Sequence, residues 1–168
     1  TLLAGTEWIF HLAAQAGVRA SWGNDFSIYV GNNIQASQRL LEAARSDGLR
    51  ESLKKVVYAS SSSVYGHAET LPTSESLKPQ PISPYGVSKL AAEHLMVLYE
   101  KEFGVPTASL RYFTVYGPKQ RPDMAFHRFA KAALLGEPIS IFGDGEQSRD
   151  FTFVTDAVQA TINAASAT

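Results

Sequence analysis

Three side chains in this sequence have types and spacing suited to moving a proton on and off a hydroxyl. In "SPYGVSK" (83–89), Tyr85 stands four residues before Lys89, so on a helix the two share one face. An ammonium beside a phenol favours the phenolate and lowers a pKa that starts near 10, which makes the tyrosine a better base near neutral pH. Upstream, "YASSSSVYG" (58–66) sets four consecutive serines after a β-branched apolar run. Serines are poor strand formers but suit a strand end, and in open α/β sheets ligands bind beyond the carboxyl ends of the strands. Read separately, each stretch also fits a plainer role: an exposed pair at a helix start, and hydroxyls that bond their own backbone.

The elements that must position these groups alternate along the chain. "EWIFHLA" (7–13), "KVVYAS" (55–60) and "TASLRYF" (107–113) are short apolar runs that read as buried strands. "NNIQASQRLLEAARSDG" (32–48) has helical spacing and a glycine stop at Gly48, and "YGVSKLAAEHLMVLYEKEFG" (85–104) reads as a long helix with Leu90, Val97, Leu98 and Phe103 as its apolar contacts and Gly104 as its end. A helix is expected over 125–136, short strands over "PISIF" (138–142) and "FTFV" (151–154), and a helix over 156–165 capped by Thr155. Near-continuous apolar strands separated by helices point to a parallel sheet covered on both faces. Residues 66–84 form a Pro/Ser-rich connection of a length that is usually functional or mobile.

Bulk properties narrow the function. The chain has 168 residues, 45% hydrophobic and 18% charged, with a net charge of −1, which suits a globular domain and gives no electrostatic footprint for nucleic acid or an anionic membrane surface. No apolar run reaches transmembrane length. With no cysteine, disulfides and thiolate metal sites are excluded, and a reducing cytoplasm fits. His11, His67, His94 and His127 lie far apart without ligand spacing, so no metal site is expected. A hydrolase reading finds no G-x-S-x-G elbow.

A serine-bearing strand end followed by S-P-Y-x-x-x-K on a helix resembles the extended short-chain dehydrogenase/reductase family, in its sugar-nucleotide epimerase and dehydratase branch. "FHLAAQAGVR" (10–19), "NNIQASQRLLEAA" (32–44), "LRYFTVYGP" (110–118) and "GDGEQSRDFTFV" (143–154) are similar to further segments of that family, in the same order. The resemblance implies an α/β fold with a doubly wound, Rossmann-like parallel sheet, incomplete at the N-terminus, and part of a smaller substrate-binding domain. Residues 1–115 would belong to the NAD-binding domain and 116–168 to the nucleotide-sugar region, with 151–168 returning to the main domain. No G-x-x-G-x-x-G or G-x-G-x-x-G turn occurs, and the chain reads as an internal piece of a longer protein.

The resemblance also implies roles. Tyr85 would be the base and acid on the sugar hydroxyl, Lys89 would bind the nicotinamide ribose, and Ser61, four residues before Tyr65, would be the catalytic hydroxyl, with Ser60 or Ser62 sharing the work. Ala13, Ala14, Asn33, Ala59, Ser60, Tyr112 and Phe113 fall at NAD-contact positions, with Tyr85 and Lys89. Ser61, Ser62, Thr114, Arg121, Phe142 and Arg149 fall on the side of a UDP-sugar, where an arginine fork suits a diphosphate. Dehydratases of the family carry an Asp-Glu pair where this chain has Ser62 and Ser63, so a 4-epimerase of the UDP-glucose or UDP-glucuronate type, working through a 4-keto sugar, fits better. The family's homodimer, built on the helices over 32–47 and 85–103, is expected as well. Another NAD-dependent dehydratase or reductase of the family, and a catalytically inactive fragment, stand as the alternatives.

Overall fold

The structure is a computed structural model that describes residues 4–68, 70–141, 143–146 and 148–167. It divides into two compact units, one running to Tyr112 and resuming at Thr161, the other Phe113–Ala160.

The first unit is built on a parallel three-stranded sheet in the order β1 (Trp8–His11), β2 (Lys55–Ser61), β3 (Thr107–Tyr112). The register pairs His11 with Tyr58 and Ser61 with Tyr112, so the carboxyl ends of the strands lie side by side. Between β1 and β2 runs a helical stretch made of α1 (Phe26–Tyr29), a π-helical segment Val30–Gln35 and α2 (Ala36–Ala44). It starts six residues before the expected Asn32 and ends at Arg45, whose N–H reaches the Leu41 carbonyl at 3.0 Å. Gly48 is therefore not the stop: it lies inside a further turn, α3 (Asp47–Arg50).

Helix α4 (Pro84–Phe103) follows the sequence signals closely. Ser83 is extended and its hydroxyl accepts from the Gly86 N–H at 3.1 Å, Pro84 opens the helix, and Gly104 closes it at φ +69° with its N–H on the Glu100 carbonyl. Its buried face differs from the expected one. Leu41 and Ala44 of α2, Val56 and Tyr58 of β2, and Ala92 and Met96 of α4 form the core, whereas Val97 and Leu98 are half exposed. The face that packs carries Ser88, Lys89 and Glu93 among its apolar residues, so apolar spacing alone points to the wrong stripe. Helices α2 and α4 pack together and against the sheet. Coverage of both sheet faces is not uniform: Trp8 and Phe10 on β1 remain 43% and 41% exposed.

In the second unit, β4 (Thr114–Tyr116) pairs in parallel with β5 (Phe151–Phe153), and α5 (Ala125–Leu135) adds Phe126 to an aromatic cluster with Tyr116 and Phe151. β4 was not expected as a separate strand. Of the strand expected over 138–142, the described part, 138–141, is irregular and exposed. Helix α6 (Val154–Ser166) begins before Thr155, which is thus inside the helix rather than its cap. Among the described residues no helix is long and apolar enough to cross a membrane, and no cluster of three metal-ligating side chains occurs.

At Gly86, near the start of α4, the fold leaves no room for a side chain. A Cβ there would stand 2.6 Å from the Ser63 carbonyl oxygen and 2.9 Å from Pro81 Cβ. Gly86→Ala is expected to destabilise the protein by about 1–3 kcal/mol through overpacking, and Ser83→Ala by about 1 kcal/mol through loss of the cap. Both are read from denaturant midpoints against wild type.

Candidate active site

The end of the central strand and the start of α4 meet at one place. Ser61 is the last residue of β2, extended at φ −153° and ψ 146°, and its hydroxyl accepts from the Ser63 N–H at 3.2 Å. This caps a single 3-10 turn, Ser62–Val64. The Gly86 backbone lies against that turn, which sets Tyr85 beside it. One turn along the helix, Lys89 reaches back to the strand and donates from Nζ to the Ala59 carbonyl at 2.9 Å. Its ammonium lies 6.0 Å from the centre of the Tyr85 ring and 5.1 Å from that of Tyr58. Ser61, Tyr85 and Lys89 are thus gathered at the carboxyl end of β2.

The electrostatics separate the two tyrosines. Tyr58 is fully buried, and burial pushes its phenol above the ordinary range, with Tyr85 and Glu93 adding to the shift. Its hydroxyl has no hydrogen-bond partner among the described residues. Tyr58 therefore stays neutral and sealed off. Tyr85 is only partly buried, edge-on to Tyr29 at 6.2 Å, and is the more accessible of the two phenols. Lys89 is buried, which brings its pKa down to about 8. Burial, and then the charge of Lys89, hold the pKa of His11 below its usual value. The Ser37 hydroxyl donates to the Asn33 carbonyl at 2.6 Å and has one proton, so it accepts from His11, whose Nε2 carries the hydrogen at 2.8 Å.

The other expected residues divide between the units. In the first, Ala13 and Ala14 are exposed just past the end of β1. Ala59 gives its carbonyl to Lys89. Ser62 lies partly exposed in the turn after Ser61, and the Tyr112 hydroxyl meets Thr161 Oγ1 at 2.5 Å. Two side chains point elsewhere than a cofactor contact requires. Asn33 is 1% exposed and its amide is used internally: Oδ1 accepts from the Gln15 N–H at 2.7 Å, while Nδ2 donates to the Gln15 carbonyl at 3.0 Å and to Ser88 Oγ at 2.9 Å. Ser60 is buried and its hydroxyl donates to the Glu93 carboxylate. Successive strand residues face opposite sides, so Ser60 and Ser61 cannot both offer a hydroxyl to one ligand.

In the second unit, the Thr114 N–H reaches the Asp150 carbonyl at 3.3 Å, and Phe113 opens the unit. Arg121 makes a two-pronged bond to Asp123 at 2.9 and 2.8 Å, which holds the Asp123 carboxyl below its ordinary range. Arg149 is exposed and donates to the Ser148 carbonyl at 2.6 Å. Phe142 lies outside the described residues.

Sequence reasoning passed over Glu93 and Arg111. Arg111 Nε and Nη2 donate to the Glu93 carboxylate at 3.0 and 2.8 Å, and the guanidinium lies 4.7 Å from the centre of the Tyr65 ring. The available signal was position: Glu93 continues the stripe of Tyr85 and Lys89 at intervals of four, and Arg111 interrupts an otherwise uncharged strand.

A model of the NAD dependent epimerase/dehydratase family matches residues 2–168. The chain belongs to that family. Its curated relatives include the "Uncharacterized UDP-glucose epimerase YtcB" of Bacillus subtilis, 55% identical over 95% of this chain and 49% of the relative. Another is the UDP-glucuronate 4-epimerase of Thermodesulfobacterium geofontis, 46% identical over 92% of this chain and 46% of the relative. Among solved structures, the UDP-glucuronic acid 4-epimerase from Bacillus cereus, in complex with UDP-glucuronic acid and NAD, superposes with a TM-score of 0.91 at 52% identity. That match covers 97% of this chain and 50% of the other. The chain spans about half the length of these family members.

The buried lysine sets a pH dependence. An ammonium at Lys89 could favour a Tyr85 phenolate only while charged, and its proton is lost as pH rises through about 8. A falling limb in kcat near that pH is expected, and it should vanish in Lys89→Met, whose residual rate is low and flat above pH 7. The pH–rate profiles of the two proteins check this.

Proposed function

We propose that this chain carries the proton-transfer half of an NAD-dependent UDP-sugar 4-epimerase, with UDP-glucuronate the favoured substrate and UDP-glucose the next. The observation that carries the reading is Lys89: a buried ammonium bonded to the Ala59 carbonyl, beside a partly buried tyrosine and a strand-end serine. The relatives' names support the choice of sugar.

The residues fit a dinucleotide. An ammonium has three protons, and the bond to Ala59 uses one, which leaves donors for a ribose diol. Ala13 and Ala14 past β1 present little bulk to a neighbouring group. Ala13, Ala14, Ala59, Tyr112, Phe113, Tyr85 and Lys89 would hold the cofactor, with Asn33 and Ser60 acting from behind. When bound, NAD supplies the acceptor and later the donor of a hydride.

The chain's own residues supply the rest. Tyr85, as phenolate, takes the proton from the sugar 4-hydroxyl, and Ser61 donates a hydrogen bond to that oxygen. Lys89 places positive charge beside the phenolate. After the ketone turns over, Tyr85 returns the proton to the oxygen on the other face. Eliminating water from the sugar needs a further acid and base, and the hydroxyls of Ser62 and Ser63 serve poorly as either near neutral pH. Thr114, Arg121 and Arg149 belong to the region that reads the sugar and diphosphate; the Asp123 partner of Arg121 would have to release it for a carboxylated sugar. The same reading includes a cytoplasmic homodimer, supported by Val97 and Leu98 left half exposed on α4.

Incubating the protein with catalytic NAD and either UDP-glucuronate or UDP-glucose should give the C4 epimer without net NADH, read by NMR of the anomeric protons. Tyr85→Phe should lower kcat by about 10²- to 10⁴-fold. Stoichiometric use of NADH, or a 4-keto-6-deoxy product, would replace the reading with the reductase or dehydratase alternative. No conversion of either sugar by wild type would favour the inactive fragment.

A further inference from the structure

Glu93 is a buried carboxylate that the proton-transfer scheme does not use. It lies one turn beyond Lys89 on α4 and is 6% exposed. An ionised carboxylate withdrawn from water costs several kcal/mol unless its oxygens are well bonded, and here they are. Arg111 grips both oxygens, with Nε at 3.0 Å from Oε1 and Nη2 at 2.8 Å from Oε2, and Ser60 donates to Oε1.

The three residues lie on three elements at one level. Ser60 and Arg111 are register partners on β2 and β3, and the next pair is Ser61 and Tyr112. Glu93 therefore ties both strands to α4 in the row just before the strand-end serine. Arg111 extends the tie, with its guanidinium over the ring of buried Tyr65 at 4.7 Å, and Nη1 on the Glu75 carbonyl at 3.4 Å in the long connection after β2. The strand meets this carboxylate directly, and Tyr65 after the turn and the connection leading to Tyr85 meet it through Arg111.

We propose that Glu93 is a positioning residue. Through its bond to Ser60 it fixes the last pleat of β2, and so aims the Ser61 hydroxyl at the oxygen that Tyr85 deprotonates. The backbone transmits this directly: Ser61 is the next and last residue of β2, so holding the Ser60 side chain on α4 fixes the Cα–Cβ direction of Ser61 at the strand end. The Ser63 N–H, bonded to the Ser61 hydroxyl at 3.2 Å, then sets the rotamer of that serine. The activity arm of this inference rests on the epimerase reading; the exchange arm below does not.

Ser60→Ala removes only the hydroxyl and leaves the Glu93–Arg111 pair intact. In the protein loaded with NAD, its kcat for UDP-glucuronate should fall on the order of 10- to 100-fold with KM nearly unchanged, and Ser60→Thr should recover most of the rate. Amide hydrogen exchange followed by NMR gives the second readout. The Ser63 amide should exchange about tenfold faster in Ser60→Ala, while the Val56 amide, bonded to the Pro106 carbonyl at 2.8 Å further back on the strand, keeps its rate. Glu93→Ala should show the same pattern more strongly; should it fail to fold, Ser60→Ala decides alone. An unchanged Ser63 rate, or Ser63 and Val56 accelerating together, would overturn the proposal, as would a loss of kcat that Ser60→Thr does not repair. If wild type turns over neither sugar, the epimerase reading falls and the exchange rates still decide the role of Glu93.

Discussion

An ammonium out of water is the constraint around which the first unit is arranged. Lys89 lies between the sheet and α4, its charge met by the Ala59 carbonyl dipole and by the faces of two aromatic rings. Such a group keeps its place only if the strand end and the helix start are both fixed, because either moving would leave the charge unsolvated. The helix start is fixed by the Ser83 cap and by the close approach at Gly86. The strand end is fixed by its central position between β1 and β3. What lowers the lysine's pKa is the same burial that brings it next to Tyr85, so its reactivity and its position have one cause.

The layer between the sheet and the helices departs from an ordinary apolar core near this site. Toward Val56 and Met96 it is hydrophobic; toward the carboxyl ends of the strands it becomes a set of bonded polar groups. The chain of His11, Ser37, Asn33 and Ser88 joins the helical stretch to β1 and α4, and Asn33 also anchors Gln15 after β1. Bonded polar groups of this kind specify a single arrangement more sharply than exchangeable methyl contacts do. Tyr29 works similarly, its hydroxyl bonding the Gly17 carbonyl at 2.8 Å and thereby holding the loop that carries Ala13 and Ala14.

Much of this was legible in the residues. The strands at 8–11, 55–61 and 107–112, the cap at Ser83 and the end at Gly104 follow from apolar runs and local turn chemistry, which act over a few residues. The pairing of Tyr85 with Lys89 on one helix face was legible because their spacing of four is close to one helical turn. What escaped depends on partners distant in sequence. The buried face of α4 was misread because Lys89 and Glu93 look solvent-facing until Ala59 and Arg111 are placed opposite them. Asn33 and Ser60 are turned inward onto Ser88 and Glu93, and spacing carries no sign of which way a side chain turns when such partners compete for it. The irregular, exposed path of 138–141 likewise departs from what its two isoleucines suggest.

The π-helical segment Val30–Gln35 has a consequence for how this region tolerates change in length. Its closing bond runs from the Ala36 N–H to the Gly31 carbonyl, five residues back instead of four, so the stretch holds one residue more than an α-helix over the same path. Losing one codon there would restore regular winding at no cost to the helix itself. The turns on either side would keep their phase, and the change would fall on the side chains inside the segment. Asn33 lies inside it, so its bonds to Gln15 and Ser88 are the ones that depend on the wider winding. A deletion that improves the local backbone would thus loosen the tie between this stretch and α4, so the extra residue serves the placement of one side chain rather than the helix.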